Sequence, residues 1–187
     1  MTIQPPVIEI PNLRTPDECS EEIRRSNALG FEDQAFRGEE RTEIRSRVSI
    51  DDVSAAGALW LKLAGKLPPL SRFYVDGLKP DPYVADLSAF APVGVNQRLR
   101  YYKYSGGQRF APHVDLAHSD GPQRSFLTVI IYLNDDFEGG ETDFFGRSVV
   151  PRQGSAIVFP HELQHQGRPV FVGIKYVLRT DVMYRAG

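Results

Sequence analysis

The second half of the sequence is a succession of short apolar runs separated by turn-forming residues. The run 126–133 is the strongest strand signal in the chain, because it is rich in β-branched and aromatic residues. Glycine, proline and aspartate interrupt the sequence at 135–140 and 151–154, which predicts tight connections between strands. The predicted strands cover residues 96–104, 126–133, 142–145, 155–159 and 173–184. Strands of this number and length have to be closed into packed sheets.

The first half of the sequence predicts two helices. Residues 15–18 combine a threonine N-cap, a proline at the first helical position and a capping-box glutamate, so a helix is expected as far as Leu29. A second helix begins after Asp51 or Asp52, because the apolar residues from 53 to 63 recur at helical spacing. We expect strands at 7–10 and 46–50, a charged mobile loop at 31–45 and an irregular connection at 76–95. The expected fold is α+β and mainly β, a double-sheet β fold with the N-terminal helices packed on one outer face.

Length and charge limit the possible organisation and partners. The 187 residues are enough for one core, and we expect a single domain over 1–187, with 1–95 supporting a functional core at 96–184. Lysine and arginine total 22 against 24 for aspartate and glutamate. Because this balance provides no basic field, a nucleic-acid partner is disfavoured.

Two features of the sequence indicate the cellular compartment: the single cysteine and the lack of long apolar segments. Cys19 rules out an internal disulfide framework and is expected to be a buried apolar position in the first helix, which suits a reducing compartment. The first residues contain no basic segment followed by an apolar run, and no window approaches 18 apolar residues. We therefore expect a cytoplasmic protein with no membrane partner.

A candidate metal site begins at His113 and Asp115. If this stretch is extended, both side chains lie on one face with Cα atoms about 6.5–7 Å apart, and Val114 points the other way into packing. With a second imidazole, this pair forms the facial triad that holds Fe(II) and leaves coordination positions open. The second imidazole has to return from a distant strand, for which His161 and His165 are candidates.

A series of short motifs occupies roughly residues 96–184, and its order and spacing are more specific than any single member. The motifs are Arg-Tyr-Tyr-Lys-Tyr-Ser-Gly-Gly-Gln at 100–108, His113-x-Asp115, Thr128-x-x-x-Tyr132-Leu-Asn, Gly139-Gly-Glu-Thr-x-Phe144, Pro151-x-x-Gly154, Phe159, His165-x-Gly167 and Gly173-x-Lys175-Tyr176. Together they resemble the prolyl 4-hydroxylase branch of the Fe(II)/2-oxoglutarate-dependent dioxygenases. The resemblance implies that family's fold, a double-stranded β-helix, or jelly roll, with helices packed outside.

The same resemblance implies a set of iron and co-substrate ligands. It makes His113, Asp115 and His165 the iron ligands. Lys175 matches the basic residue that pairs with the distal carboxylate of 2-oxoglutarate, and a polar turn at 166–169 is expected to return it to the pocket. Further candidates come from the co-substrate pocket of the family. These are Tyr104 and Tyr132, whose hydroxyls would bond the same carboxylate, and the weaker candidate Thr128, which shares a strand face with Tyr132.

The activity implied by the resemblance is hydroxylation of an unactivated C–H bond. Fe(II), 2-oxoglutarate and O2 are the implied cofactor and co-substrates, succinate and CO2 the implied products, and ascorbate is an expected further cofactor. A peptidyl or protein side chain is the favoured substrate. The alternative is a free amino acid or another small molecule.

One competing motif leads to a different class of enzyme. The segment His161-Glu162-Leu163-Gln164-His165 matches the His-Glu-x-x-His signature of metallopeptidases. That chemistry needs both imidazoles on a substantial helix, whereas Pro160 precedes and Pro169 follows, so a helix here would be barely one turn long. A non-catalytic jelly-roll binding module would usually lack one ligand or the basic residue, and here all four are present. Both alternatives are disfavoured.

Three arginines are candidates for substrate contact. They are Arg98, Arg100 and Arg179. The first two share a predicted strand face with Tyr104, and the third shares one with Lys175. Bordering the substrate entrance, they would grip an acidic group or a chain terminus bidentately. The alternative is that they lie beyond the cavity, paired with Asp181 or with loop carboxylates. His118 has no place in the pattern and is interpreted as a loop residue.

Overall fold

The computed structural model describes residues 6–34, 45–74, 78, 80, 84 and 86–187. The helices of this part are α1 (Pro16–Leu29) and α2 (Val53–Leu63), with short 3-10 turns at Ala64–Lys66, Leu70–Arg72 and Leu87–Ala89. The strands are β1 (Ile8–Ile10), β2 (Glu32–Gln34), β3 (Arg45–Asp51), β4 (Phe90–Val95), β5 (Arg98–Ser105), β6 (Phe110–His113), β7 (Ser119–Asp120), β8 (Gln123–Tyr132), β9 (Glu138–Gly139), β10 (Thr142–Asp143), β11 (Ser148–Val149), β12 (Ala156–Pro160), β13 (His165–Gly167), β14 (Val170–Val172) and β15 (Ile174–Ala186).

Both helices begin at the caps that their sequences predict. Thr15 and Glu18 form a reciprocal capping box at the start of α1, and Gly30 ends the helix at φ 80°. Asp52 rather than Asp51 caps α2, since its side chain accepts a hydrogen bond from the Ala55 amide at 2.8 Å. None of the helices in the described ranges has the length and apolar character needed to span a bilayer.

A nine-stranded sheet forms the larger layer of the fold. Its main path runs β1-β12-β8-β15-β5-β3-β2, with β4 added to β15 and β7 added to β8. The central strand β8 is covered on both faces, and residues 125–129 are all buried. This two-sided burial explains why the segment reads in the sequence as one continuous apolar run.

A smaller sheet lies over the inner face of the larger one. It has the order β11-β10-β13-β6, and a separate pair joins β14 to β9. Aromatic residues fill the space between the layers, namely Tyr102, Tyr104, Tyr132, Phe144 and Phe159. Two facing sheets with helices outside are the predicted double-stranded β-helix, and the mainly β fold class is confirmed.

The outer face of the large sheet packs against the helices. Leu59 and Leu63 of α2 and the fully buried Cys19 of α1 share one core with Leu99 and Tyr101 of β5. Tyr102, one residue further along β5, lies in the inner core instead. Because facing alternates along a strand, β5 separates the two cores, and the helices cover one outer face as predicted.

Two predicted connections need correction. The loop expected at 31–45 contains β2, which pairs antiparallel with β3, while residues 35–44 lie outside the described residues. The irregular connection expected at 76–95 ends in β4, which pairs with the last part of β15. Pro92 and Gly94 hide this strand in the sequence, and they are tolerated because β4 pairs on one side only. Of the remainder of that connection, only 78, 80, 84 and 86–89 are described.

Candidate active site

Three side chains with metal-ligating atoms meet between the two sheets. His113 ends β6 and lies directly opposite His165, the first residue of β13, in the antiparallel pair. Asp115 follows β6, with its carboxylate oxygens 3.7 Å from His113 Nε2 and 3.8 Å from His165 Nε2. One ligand atom from each residue lies within 4.8 Å of the other two. The structure therefore brings together the three residues proposed from the sequence as iron ligands.

Backbone carbonyls fix both imidazoles with Nε2 facing the centre of the site. His113 Nδ1 donates to the Ala111 carbonyl at 2.8 Å, and His165 Nδ1 donates to the Leu163 carbonyl at 3.0 Å. A carbonyl only accepts, so the proton sits on Nδ1 and the Nε2 lone pair is free. Burial, with a contribution from His165, lowers the pKa of His113 to about 4, so the ring is neutral at pH 7.

The donor set fits a divalent iron. Two neutral imidazole nitrogens and one carboxylate are the ligands of the facial triad, which keeps three positions for exogenous molecules. His113 Nε2 is buried and has no hydrogen-bond partner among the described residues, as expected for an atom oriented toward a metal. Phe110 stacks on the His113 ring at a centroid distance of 3.7 Å and fixes its plane.

Val114 is the exception in this stretch. The residue was expected to point into packing, but it is 50% exposed. The alternation of the chain gives the direction of a side chain, whereas burial depends on a further layer. The prediction that Val114 packs inside is therefore wrong.

Lys175 lies at the inner end of the cavity. Its ammonium donates to the Gly140 carbonyl at 2.5 Å and lies 5.6 Å and 5.5 Å from the ring centroids of Tyr104 and Tyr132. No carboxylate forms an ion pair with it within the described ranges. Burial lowers the pKa of Lys175 to about 7, and the charge of the Glu141 carboxylate opposes this shift only in part.

Tyr104 and Tyr132 differ in their position relative to the cavity. Tyr104 lines the cavity together with Lys175. Tyr132 is fully buried, and its hydroxyl is hydrogen-bonded at 2.7 Å to Thr142 Oγ1, whose residue lines the cavity. Sequence analysis did not single out Thr142 or Gly140 as site residues, although both lie within the glycine-rich motif at 139–144.

Thr128 does not line the cavity but supports Asp115. Its hydroxyl donates to Asp115 Oδ2 at 2.6 Å and is 2.8 Å from His161 Nδ1. Since the Thr128 proton points to the carboxylate, His161 Nδ1 is the donor in the second bond, and Ser125 bonds His161 Nε2 at 2.8 Å. The structure places the Thr128 hydroxyl on Asp115 rather than on a co-substrate surface.

The three arginines separate in the structure. Arg98 is half-exposed and pairs with Asp51 at 2.8 Å, away from the cavity. Arg100 pairs with Asp181 at 3.1 Å, the partner that the alternative interpretation gave it. Arg179 lines the cavity and contacts Asp115 Oδ1 at 2.9 Å. Thus one of the three reaches the candidate metal ligands.

The second metal motif does not form its own site. Residues 161–164 form a turn after β12 instead of a helix, and His161 is bonded to Thr128 and Ser125. The Glu162 carboxylate accepts a hydrogen bond from the Tyr74 hydroxyl at 2.9 Å. His118 does not line the cavity, and its backbone amide donates to Ser125 Oγ.

Comparison with known proteins shows what this fold and site are similar to. Residues 99–180 match the model of the 2OG-Fe(II) oxygenase superfamily. A PKHD-type hydroxylase of Stenotrophomonas maltophilia (strain R551-3) is 35% identical over 104 residues, which cover 46% of this chain and 46% of that protein. The matched region therefore spans under half the length of this curated relative.

Solved structures resemble almost the whole chain. The 2OG complex of the viral collagen prolyl hydroxylase vCPH from Paramecium Bursaria Chlorella virus-1 matches with a TM-score of 0.61 and 18% identity over 96% of both chains. A prolyl hydroxylase in complex with a hypoxia inducible factor oxygen degradation domain peptide fragment, from Trichoplax adhaerens, matches with a TM-score of 0.60. Its identity is 17%, over 96% of this chain and 84% of that chain. At these identities the likeness concerns the fold.

Proposed function

We propose that the chain is a prolyl 4-hydroxylase-like member of the 2OG-Fe(II) oxygenase superfamily and, on this premise, a dioxygenase that hydroxylates an unactivated C–H bond. One molecule each of 2-oxoglutarate and O2 would be consumed per substrate, with release of succinate and CO2. The observation that carries the proposal is the convergence of His113, Asp115 and His165 in one cavity. Lys175 lines the same cavity and forms no ion pair with the described carboxylates.

The metal would be held by His113 Nε2, His165 Nε2 and one oxygen of Asp115. Bound Fe(II) and 2-oxoglutarate supply the activation of O2 that hydroxylation requires. The protein supplies neutral imidazoles, a fixed carboxylate and an aromatic cavity lining that includes Tyr102 and Phe110. Such a lining limits the access of water to the reacting atoms.

The distal carboxylate of 2-oxoglutarate would bind at Lys175. A buried carboxylate beside the ammonium favours the protonated amine, so binding restores the charge that burial disfavours. Tyr104 would contact the same end of the molecule from the cavity wall. Tyr132 would act through Thr142, to which its hydroxyl is bonded.

For the substrate we propose a prolyl or other side chain of a peptide or protein. The names of the hydroxylase relative and of the peptide-bound Trichoplax enzyme support this class. Arg98 and Arg100 line an open groove with Arg47, and Arg100 is paired in register with the cavity residue Arg179. Asp51 also lines this groove, but the three arginines outnumber it and favour a peptide that carries an acidic group. A free amino acid or other small molecule is the alternative.

The proposal also includes a reductant, a cellular location, a domain organisation and the class of partner. Ascorbate as a reductant rests on the family resemblance. A cytoplasmic location rests on the single buried cysteine, which excludes an internal disulfide. A single domain over 1–187 and the absence of a nucleic-acid partner rest on length and on a formal net charge of −2.

A succinate-release screen tests the proposed function. The protein is incubated with Fe(II), ascorbate and 2-oxoglutarate against proline-rich peptides, their acidic variants and pools of free amino acids. Succinate release that depends on one substrate class, with a mass gain of one oxygen atom in that substrate, is the expected result. The Asp115→Ala variant is the control, and equal succinate release by that variant would contradict the proposal.

A further inference from the structure

The Asp115 carboxylate is held from two sides by different kinds of donor. Arg179 Nη2 contacts Oδ1 at 2.9 Å, and the Thr128 hydroxyl donates to Oδ2 at 2.6 Å. The side chains of Asp115 and Arg179 are 5% and 14% exposed, so water does not weaken the pair as it does at a surface. Both oxygens are therefore oriented before any metal arrives.

Arg179 is itself fixed by its surroundings. The same Nη2 atom lies 3.5 Å from Asp181 Oδ1, and Asp181 also pairs with Arg100 at 3.1 Å. The four side chains form a buried chain of alternating charge that ends at Asp115. Because each charge has a neighbour of opposite sign, Arg179 does not need an external anion to remain in place.

The number of oxygens that Asp115 gives to the metal decides how many positions remain open. An octahedral iron has six positions, and three protein ligands leave three, which match two atoms of 2-oxoglutarate and one O2. A carboxylate can also bind a metal through both oxygens, and one open position would then be lost. A donor on each oxygen opposes this, because each donor occupies one lone pair of its oxygen and the two together fix the rotation of the carboxylate.

We propose that Arg179 is a positioning residue that, together with Thr128, holds Asp115 as a single-oxygen metal ligand and so keeps three coordination positions open. This inference rests on the proposed function. In this role Arg179 contacts the metal ligand Asp115 and does not bind the substrate. Arg100 lacks this role, because its carboxylate partner is Asp181 and not Asp115.

The two arginines provide a matched pair of variants. Arg179→Gln and Arg100→Gln each remove one guanidinium from Asp181, but only the first removes the contact with Asp115. Binding of Mn(II), and then of 2-oxoglutarate to the Mn(II)-loaded protein, is measured by calorimetry. Visible absorption of the Co(II)-loaded protein reports the coordination geometry independently of turnover.

We expect Arg179→Gln to weaken 2-oxoglutarate binding by about tenfold and to change the Co(II) spectrum, while it still binds Mn(II). Arg100→Gln should match the unchanged protein in both measurements. Thr128→Val removes the other donor to Asp115 without changing the charge, and it should shift the Co(II) spectrum in the same direction. This variant provides the test if Arg179→Gln does not fold.

The outcomes distinguish failure of the positioning role from failure of the proposed function. If Arg179→Gln, or Thr128→Val in its place, gives the same Co(II) spectrum and 2-oxoglutarate affinity as Arg100→Gln, the positioning role is overturned and the proposed function stands. If the unchanged protein shows no metal-dependent binding of 2-oxoglutarate, the proposed function is overturned, and the positioning role with it.

Discussion

The ammonium of Lys175 donates to the carbonyl oxygen of Gly140 at 2.5 Å and forms no ion pair with the described carboxylates. A carbonyl oxygen satisfies one of three donor hydrogens and cancels none of the charge. Burial therefore lowers the pKa of Lys175 to about 7. Near pH 7 about half of the molecules therefore carry a neutral Lys175 amine, which can take up a proton when an anion binds beside it.

Proton uptake on binding of 2-oxoglutarate follows from this pKa. Above pH 7 the free protein carries a mostly neutral Lys175, and a bound carboxylate raises the pKa, so binding takes up a proton. The affinity should fall by up to about tenfold per pH unit above pH 7 and be nearly constant below about pH 6. Calorimetry in buffers of different ionisation enthalpy measures the uptake, and a value of zero at about pH 8.5 would contradict the prediction.

Lys175→Ala should weaken 2-oxoglutarate binding by about 2–4 kcal/mol, because the distal carboxylate would be buried without a partner. Metal binding should survive, since Lys175 is not a metal ligand. Lys66→Ala, at an exposed lysine, is the control and should bind normally. An unchanged affinity in Lys175→Ala would remove this residue from the co-substrate site.

Asp115→Ala and Glu162→Gln separate the two metal motifs. Asp115→Ala should abolish Fe(II) binding, because it removes one of three ligands. Glu162→Gln should leave binding and 2-oxoglutarate turnover largely intact, since the Glu162 carboxylate is bonded to Tyr74. Loss of turnover in Glu162→Gln with an active Asp115→Ala is the result that a peptidase-type site requires.

Gly140→Ala should reduce both stability and co-substrate binding. Gly140 has φ 71°, and an added Cβ would lie 3.0 Å from Phe137 and Val170 atoms and 3.1 Å from Lys175 Cδ. The left-handed conformation alone costs about 1–2 kcal/mol in alanine. Gly146→Ala is the control, because a Cβ added at Gly146 has no neighbouring atom within 4 Å. Equal melting temperatures in the two variants would show that Gly140 tolerates a side chain.

Arg98→Ala and Arg100→Ala test whether the groove receives substrate. If it does, substrate-coupled hydroxylation falls about tenfold or more, which corresponds to one lost charge-assisted hydrogen bond of about 1.5–3 kcal/mol. The decay of 2-oxoglutarate without substrate should not change. Coupled rates equal to those of the unchanged protein in both variants would mean that the groove is not used.

The family resemblance predicted the meeting of His113, Asp115 and His165. The residues alone left His161 and His165 as alternatives for the second imidazole. Neither predicted which partner each arginine finds. Arg98 and Arg100 share a predicted strand face with Tyr104. Arg179 shares one with Lys175 on another strand. The contacts of the three arginines depend on how far along the sheet each one lies. These positions follow from the register of β5 with β15, which places Arg100 opposite Arg179.

Elements without a periodic signal were also missed. The facing of Thr128 was correct, yet its hydroxyl bonds Asp115 because the turn after β6 returns the carboxylate to β8. β2 spans three residues, and β4 carries a proline and a glycine, so neither shows the alternation of a longer strand. Short edge strands are recognised by their partners and not by their own composition.

The long strand β15 sets a fixed length inside the cavity. Lys175 and Arg179 lie on one of its faces, about 13 Å apart along the backbone, and β5 and β8 pair with the strand on its two sides. The irregularity in its pairing occurs only beyond Val182, so this segment is regular. The strand therefore fixes the backbone separation between Lys175 and Arg179, which contacts the metal ligand Asp115. A diacid one methylene shorter or longer than 2-oxoglutarate should fit this separation less well and bind more weakly.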